Sequence, residues 1–184
     1  MISLVTQVSP GIKLTLAANN NLESIIDRIH DYSFALKFKP NKVLNRQRTK
    51  FGRKTTFYVC GTPHKPNTFP FSPTAESTWL GWWAAASGYD GFLRWALCSY
   101  TKNPFNTTDY PRQKWPAGDC FLIYPGPRSS IRFERLREGI QDYEKIRVLR
   151  EILAKQGTSG QNIMSRLDAI LLKVRNSKHT KVVN

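Results

Sequence analysis

Residues 55–60 read TTFYVC, and residues 74–97 read TAESTWLGWWAAASGYDGFLRWAL. The first stretch is β-branched and aromatic throughout, which is strand composition. In the second, Trp79, Trp82, Trp83 and Ala86 recur at helical spacing across 74–87. Gly88 and Asp90-Gly91 supply a stop and a turn, and FLRWAL at 92–97 reads as a buried strand. Strand, helix, strand is the order of one parallel βαβ unit.

Working outward, the same alternation recurs. IKLTLA at 12–17 is a short strand that ends in the turn-prone Asn19-Asn20-Asn21. Residues 22–29 read as a short helix with Asn21 as its cap, and 32–36 as a second strand. Residues 37–54 read as a loop, with Pro40 and Gly52 breaking regular structure. Downstream, a polar loop over 99–119 leads to a strand at 120–124 (CFLIY). Ser130 then caps a strongly periodic helix over 131–153, whose apolar positions include Phe133, Leu136, Ile140, Tyr143 and Ile146. Gly157 and Gly160 read as a break before a last helix at 162–174, followed by a frayed tail. Strands alternating with helices point to an α/β fold with a parallel sheet.

The net charge of +15 favours anionic partners, either phosphate or an anionic surface. It is unevenly spread. KFKPNKVLNRQRTKFGRK at 37–54 holds eight Lys/Arg and no acid. A basic loop and a binding surface both account for it. Cys60, Cys98 and Cys120 are odd in number and widely spaced, so buried free thiols are expected. The histidines complete no metal-ligand spacing, and no cofactor or metal is implied. The N-terminus lacks the pattern of a signal peptide, and no apolar run is long enough to span a membrane.

In a parallel βα array, ligands bind at the carboxyl ends of the strands. That geometry selects His64, Lys65 and Asn67 after one strand, and Arg94, Trp95, Ser99 and Tyr100 on and after the next. The following loop offers Asp109, Arg112, Trp115 and Asp119. Aromatic rings beside amides and charges suit a sugar, with its apolar C–H face and hydroxyl rim. They suit nucleic-acid bases equally well. Trp79, Trp82 and Trp83 read as packing residues, and Trp95 faces either the core or the pocket. On a regular strand, Arg94 points away from Trp95, so both cannot enter one pocket. Asp90 reads as a turn residue. Glu134, Glu138, Asp142 and Glu144 read as a salt-bridged solvent face. The chain has 13 carboxylates, no two adjacent, and no phosphate loop or nucleophile elbow, so no complete catalytic set is declared.

Three long motifs carry a family resemblance: TTFYVCGTPHKPNTFPFSP at 55–73, AESTWLGWWAAASGYDGFLRWA at 75–96, and WPAGDCFLIYPGPRSSIRFERLREGIQDYEKIRVLRE at 115–151. The series resembles the C-terminal part of glycoside hydrolase family 123-like proteins, over roughly residues 12–153. The resemblance implies the C-terminal half of a (β/α)8 TIM-type barrel, an incomplete barrel carrying strands five to eight. These would be 12–17, 32–36, 55–60 and 92–97, within a half-barrel domain at 1–155 followed by a C-terminal helix and tail at 156–184.

The resemblance also implies hydrolysis of β-linked N-acetylgalactosamine by a substrate-assisted route. In that route an Asp orients the substrate's acetamido group and a neighbouring Glu is general acid/base. That pair is an Asp-Glu dipeptide in the family, and this sequence contains none, so no catalytic residue is carried over and the chain is expected to be inactive alone. The expected substrate-binding positions are Tyr58, His64, Asn67, Trp95 and Tyr100. The expected partner is a glycan containing N-acetylhexosamine. A half-barrel has two open edges, which implies a second barrel half, self-association, or low stability alone. Full-length relatives are expected to be periplasmic or on the cell surface. The competing class is a non-catalytic module that binds carbohydrate or, less in keeping with the motifs, nucleic acid.

Overall fold

In a computed structural model, residues 2–19, 23–37, 41–61, 65–110 and 115–176 are described. The element order is α1 (Ile2–Val8), β1 (Thr15–Ala18), α2 (Glu23–Ile26), β2 (Asp31–Ala35), α3 (Lys42–Lys50), β3 (Lys54–Tyr58), α4 (Ala75–Ser87), β4 (Gly91–Leu93), α5 (Ile131–Leu153) and α6 (Gly157–Asn176). The chain is an α/β fold built on one four-stranded sheet. The strands lie in sequence order, β1-β2-β3-β4, and all neighbours are parallel. TTFYVC and FLRWAL therefore do lie side by side in one direction, through Thr56 with Gly91, Phe57 with Phe92 and Tyr58 with Leu93.

The composition of β3 explains its central place. Phe57 is fully buried, and its ring meets those of Trp83, Tyr89 and Phe92 at 4.8, 5.4 and 5.2 Å. Tyr32, Phe34, Phe69, Leu80, Leu122 and Leu136 extend this core between the sheet and the helices α4 and α5. A second cluster joins α4, α5 and α6 through Ala85, Ala86, Ile146 and Leu171. Two of the three helix tryptophans serve packing: Trp83 stacks on Tyr89 in the main core, Trp82 flanks the second cluster, and its indole donates to Asp142 at 3.0 Å, while Trp79 lines a surface hollow. Ser130 caps α5 by accepting from the Phe133 N–H, and its own hydroxyl donates to the Leu122 carbonyl at 2.6 Å.

The basic stretch is not a loop. Its middle is the helix α3, whose cap Asn41 accepts from the Val43 and Leu44 N–H groups. Hydrophobic periodicity does not reveal it because its fully buried positions, Asn45 and Arg48, are polar and only Leu44 adds apolar contact with the core. Asn45 is buried and donates to the Gly88 carbonyl at 3.0 Å. Arg48 is 1% exposed and donates to Thr55 Oγ1 and to the carbonyls of Ile26, Ile29, His30 and Lys54. Part of the basic signal is therefore a structural clamp at the amino ends of β2 and β3. Asp90 acts at that end too: its carboxylate accepts from the Thr55 N–H at 2.7 Å, far from the strand ends where ligands bind.

Four further expectations are corrected. The strand expected at 92–97 ends at Leu93, because Arg94 turns into a buried ion pair with Asp119 at 3.1 Å. CFLIY joins no sheet; it pairs with 97–99 through the antiparallel bridge of Cys98 with Phe121 and the Leu122 N–H to the Leu97 carbonyl. The last helix starts at Gly157 rather than 162. Gly160 does not break it, since a β-carbon there would overlap the Leu153 carbonyl; the glycine permits a close approach. Nor are the thiols all buried: Cys60 and Cys98 are exposed and only Cys120 is buried, all three free. No helix among the described residues is long and apolar enough to cross a membrane.

Candidate functional site

The carboxyl ends of the strands gather Asn19, Ala35 to Lys37, Tyr58 to Cys60, and the residues after Leu93. A cavity of about 170 Å³ is lined there by Asn19, Ala35, Leu36, Lys37, Tyr58, Val59 and Cys60. Tyr58, buried at the end of β3, donates its hydroxyl to Asn19 Oδ1 at 2.7 Å. Burial, then the neighbouring Cys60 and Tyr32, pushes the Tyr58 phenol above its ordinary pKa, so it stays a neutral donor. Desolvation, then the Asp119 carboxylate, raises the Cys60 thiol as well, which is the opposite of an activated nucleophile.

Asp119 joins this cavity to an aromatic surface. The residue is fully buried. Its Oδ1 accepts from Arg94 Nη1 at 3.1 Å and Trp95 Nε1 at 3.2 Å, and its Oδ2 accepts from the Gly61 N–H at 3.0 Å. Arg94 also donates to the backbone carbonyls of Gly118 and Asp119. Burial lowers the Arg94 pKa, and Asp119 opposes that shift. The expectation that Arg94 and Trp95 diverge is overturned: both donate to one carboxylate oxygen, because β4 has ended and strict side-chain alternation no longer holds.

The Trp95 ring is 38% exposed and lies 5.1 Å from Trp115, equally exposed, at 54°. Tyr110 meets Trp115 edge-on at 5.7 Å. Tyr100, exposed, sets its edge against Phe121 at 5.6 Å. The result is an open aromatic corner beside a small polar cavity. Trp95, Trp115 and Tyr100 leave apolar ring surface open to solvent there.

Of the five expected positions, Tyr58 lines the cavity, while Trp95 and Tyr100 are exposed in the segment after β4. Asn67 is buried; its side-chain oxygen accepts from the Phe69 N–H at 2.9 Å, and its own N–H donates to Glu76, so it holds the shape of the loop. His64 lies outside the described residues. Asn19 was read only as a turn residue. Asp119 and Trp115 are among the loop positions that the strand-end geometry offers, but stand outside the five expected contacts, and nothing in their local sequence marks the contacts they make.

Larger hollows lie on the helical side, of about 620 Å³ beside Trp79, Trp82 and Arg135, about 470 Å³ beside Arg46, Arg150, Asp168 and Arg175, and about 630 Å³ along α5 beside Ile140, Val148 and Ile152. Part of the positive charge among the described residues is committed within the fold. Arg48, Arg94 and Arg132 are committed to interior hydrogen bonds, and Arg135, Arg137, Lys145, Arg147 and Arg150 pair with carboxylates at 2.6–3.0 Å.

Comparison with known proteins gives a consistent result. The model of the family described as glycoside hydrolase 123, catalytic domain, matches residues 1–149. Among solved structures, a family 123 glycoside hydrolase from Clostridium perfringens, studied for the details of glycolipid glycan hydrolysis, matches with a TM-score of 0.75 and 26% identity. The match covers 98% of this chain and 32% of that one, so the chain spans about a third of its relative's length. No curated protein matches the sequence. With the family's model covering most of its length, and a strand-end face that holds aromatic rings around a buried carboxylate, this chain belongs to the glycoside hydrolase 123 catalytic-domain family.

Proposed function

We propose that this chain provides strands five to eight of a (β/α)8 glycoside hydrolase barrel, and with them part of its sugar-binding face. The observation that carries the reading is the strand order. Four parallel strands follow one another without reversal, as in a barrel; a doubly wound sheet would reverse. The aromatic corner of Trp95 and Trp115 then sits at the end of the sheet where barrel enzymes bind substrate. Tyr58, Trp95 and Tyr100 are the contact residues of this proposal. His64 is kept as a proposed contact from the sequence alone, and Asn67 supports the segment after β3.

The proposed ligand is a glycan bearing β-linked N-acetylhexosamine, and the proposed chemistry of the whole domain is substrate-assisted hydrolysis. That chemistry needs an orienting Asp beside an acid/base Glu. The 184-residue sequence has no Asp-Glu pair, so its own part is to bind and orient the sugar. The purified chain should release no nitrophenol from a nitrophenyl N-acetyl-β-galactosaminide. Turnover above a buffer blank, lost on mutating a residue of this chain, would refute that.

Binding is tested separately, by titrating methyl N-acetyl-β-galactosaminide into the chain at 50 and 200 mM salt. A neutral sugar should bind equally at both. Binding of single-stranded DNA through six or more phosphates would weaken by roughly three-hundredfold or more over that range. A chain that ignores the sugar and binds DNA in this salt-sensitive way belongs to the competing class.

A further inference from the structure

Three segments meet at one carboxylate. The loop after β3 contributes the Gly61 N–H, the residues after β4 contribute Arg94 and Trp95, and the third segment contributes Asp119 itself. The carboxylate is sealed from solvent, so its bonds are strong and charge-assisted. Trp95 is different. Its ring is 38% exposed and rests on Trp115, so little packing fixes its rotamer. The indole N–H to Asp119 is the anchor that does.

We propose that Asp119 is a positioning residue, which holds the Trp95 indole at its angle to Trp115 and so shapes the aromatic corner to take the apolar face of a hexose. The sugar part of this statement rests on the proposed function; the positioning part does not. Asp119 is too deeply buried to touch a ligand, so it acts through the groups it holds, and of these Trp95 is the exposed ring. Arg94 balances its charge, which lets a buried carboxylate serve as a fixed acceptor.

The test uses the full chain labelled with nitrogen-15, with the Trp95 indole N–H resonance assigned by Trp95→Phe. In wild type, this N–H should exchange slowly with water for a half-exposed indole. In Asp119→Ala it should exchange at least about tenfold faster, the worth of one charge-assisted hydrogen bond. Asp119→Asn keeps an oxygen toward Arg94 and Trp95 and should restore most of the protection. Affinity for methyl N-acetyl-β-galactosaminide should follow the same order, falling about tenfold in Asp119→Ala and recovering to within about threefold in Asp119→Asn.

A Trp95 resonance and exchange rate unmoved by Asp119→Ala would overturn the positioning role. Affinity that tracks melting temperature across both variants, rather than Trp95 protection, would do the same. If Asp119→Ala fails to fold, Asp119→Asn decides: replacing a carboxylate by an amide must shift the Trp95 indole resonance, and an unshifted resonance overturns the proposal. A wild-type chain that does not bind the glycoside sinks the sugar reading, while the exchange data still decide the positioning.

Discussion

Gly81 on α4 and Gly139 on α5 face each other with no side chain between them. A β-carbon on Gly81 would overlap the Gly139 carbonyl and lie 3.0 Å from its Cα, and one on Gly139 would lie 3.0 Å from the Thr78 Cα. The two helices touch backbone to backbone at this point. The contact seats α5 against the helix that joins β3 to β4, and the residues ahead of α5 include Asp119.

This pair gives a prediction with an unusual sign. In an exposed helix, Gly→Ala stabilises by about 1 kcal/mol. Gly81→Ala and Gly139→Ala should each instead destabilise the chain by about 1–3 kcal/mol, because backbone cannot move aside as a side chain does. Urea denaturation measures it, and a gain in midpoint for either variant would contradict the contact.

Arg48 separates structural charge from surface charge. Arg48→Met removes donors from four carbonyls and from Thr55 Oγ1, and should cost on the order of 3 kcal/mol. Arg48→Lys should recover less than half of that, since an ammonium cannot reproduce the planar fork. Arg46→Ala and Lys50→Ala, both at exposed positions of α3, should stay within about 0.5 kcal/mol. Equal effects at all three positions would show that the interior clamp is misassigned.

Tyr89 gives a pH dependence. Its burial pushes the phenol up to about 12. The unfolded chain loses this proton near pH 10 while the folded chain keeps it, so the unfolded state binds fewer protons in between. The stabilisation is fully present below pH 10 and is lost as pH rises toward about 12. The change amounts to about 2–3 kcal/mol for this residue. Tyr143, also near 12, donates its hydroxyl to the Tyr89 carbonyl at 3.0 Å and titrates in the same window. Tyr89→Phe should flatten the alkaline fall in melting temperature relative to wild type, and an unchanged slope would exclude Tyr89 as its source.

The elements readable from sequence are those whose burial is apolar, whether it shows as a period or as an unbroken run. The helix over 131–153 announces itself because apolar residues recur every 3.6 positions when one face meets the core, and TTFYVC because it is β-branched and aromatic throughout. The helix α3 hides because its buried face is Asn45 and Arg48, and a polar interior is invisible to hydrophobic patterning. The early end of β4 hides for a related reason: Arg94 leaves the strand to meet a carboxylate 25 residues away.

By itself, then, the amino-acid order determined the βα alternation, the cap at Ser130, Trp82 and Trp83 as packing groups and the family resemblance, since each rests on local spacing or an unbroken motif. Only the tertiary structure decided that Arg94 and Trp95 share Asp119, that Tyr58 reaches Asn19, and that much of the basic charge is paired or interior. The physical reason is range. Periodicity records which side of an element avoids water, whereas a hydrogen bond between distant loops depends on where the folded chain brings two groups within about 3 Å.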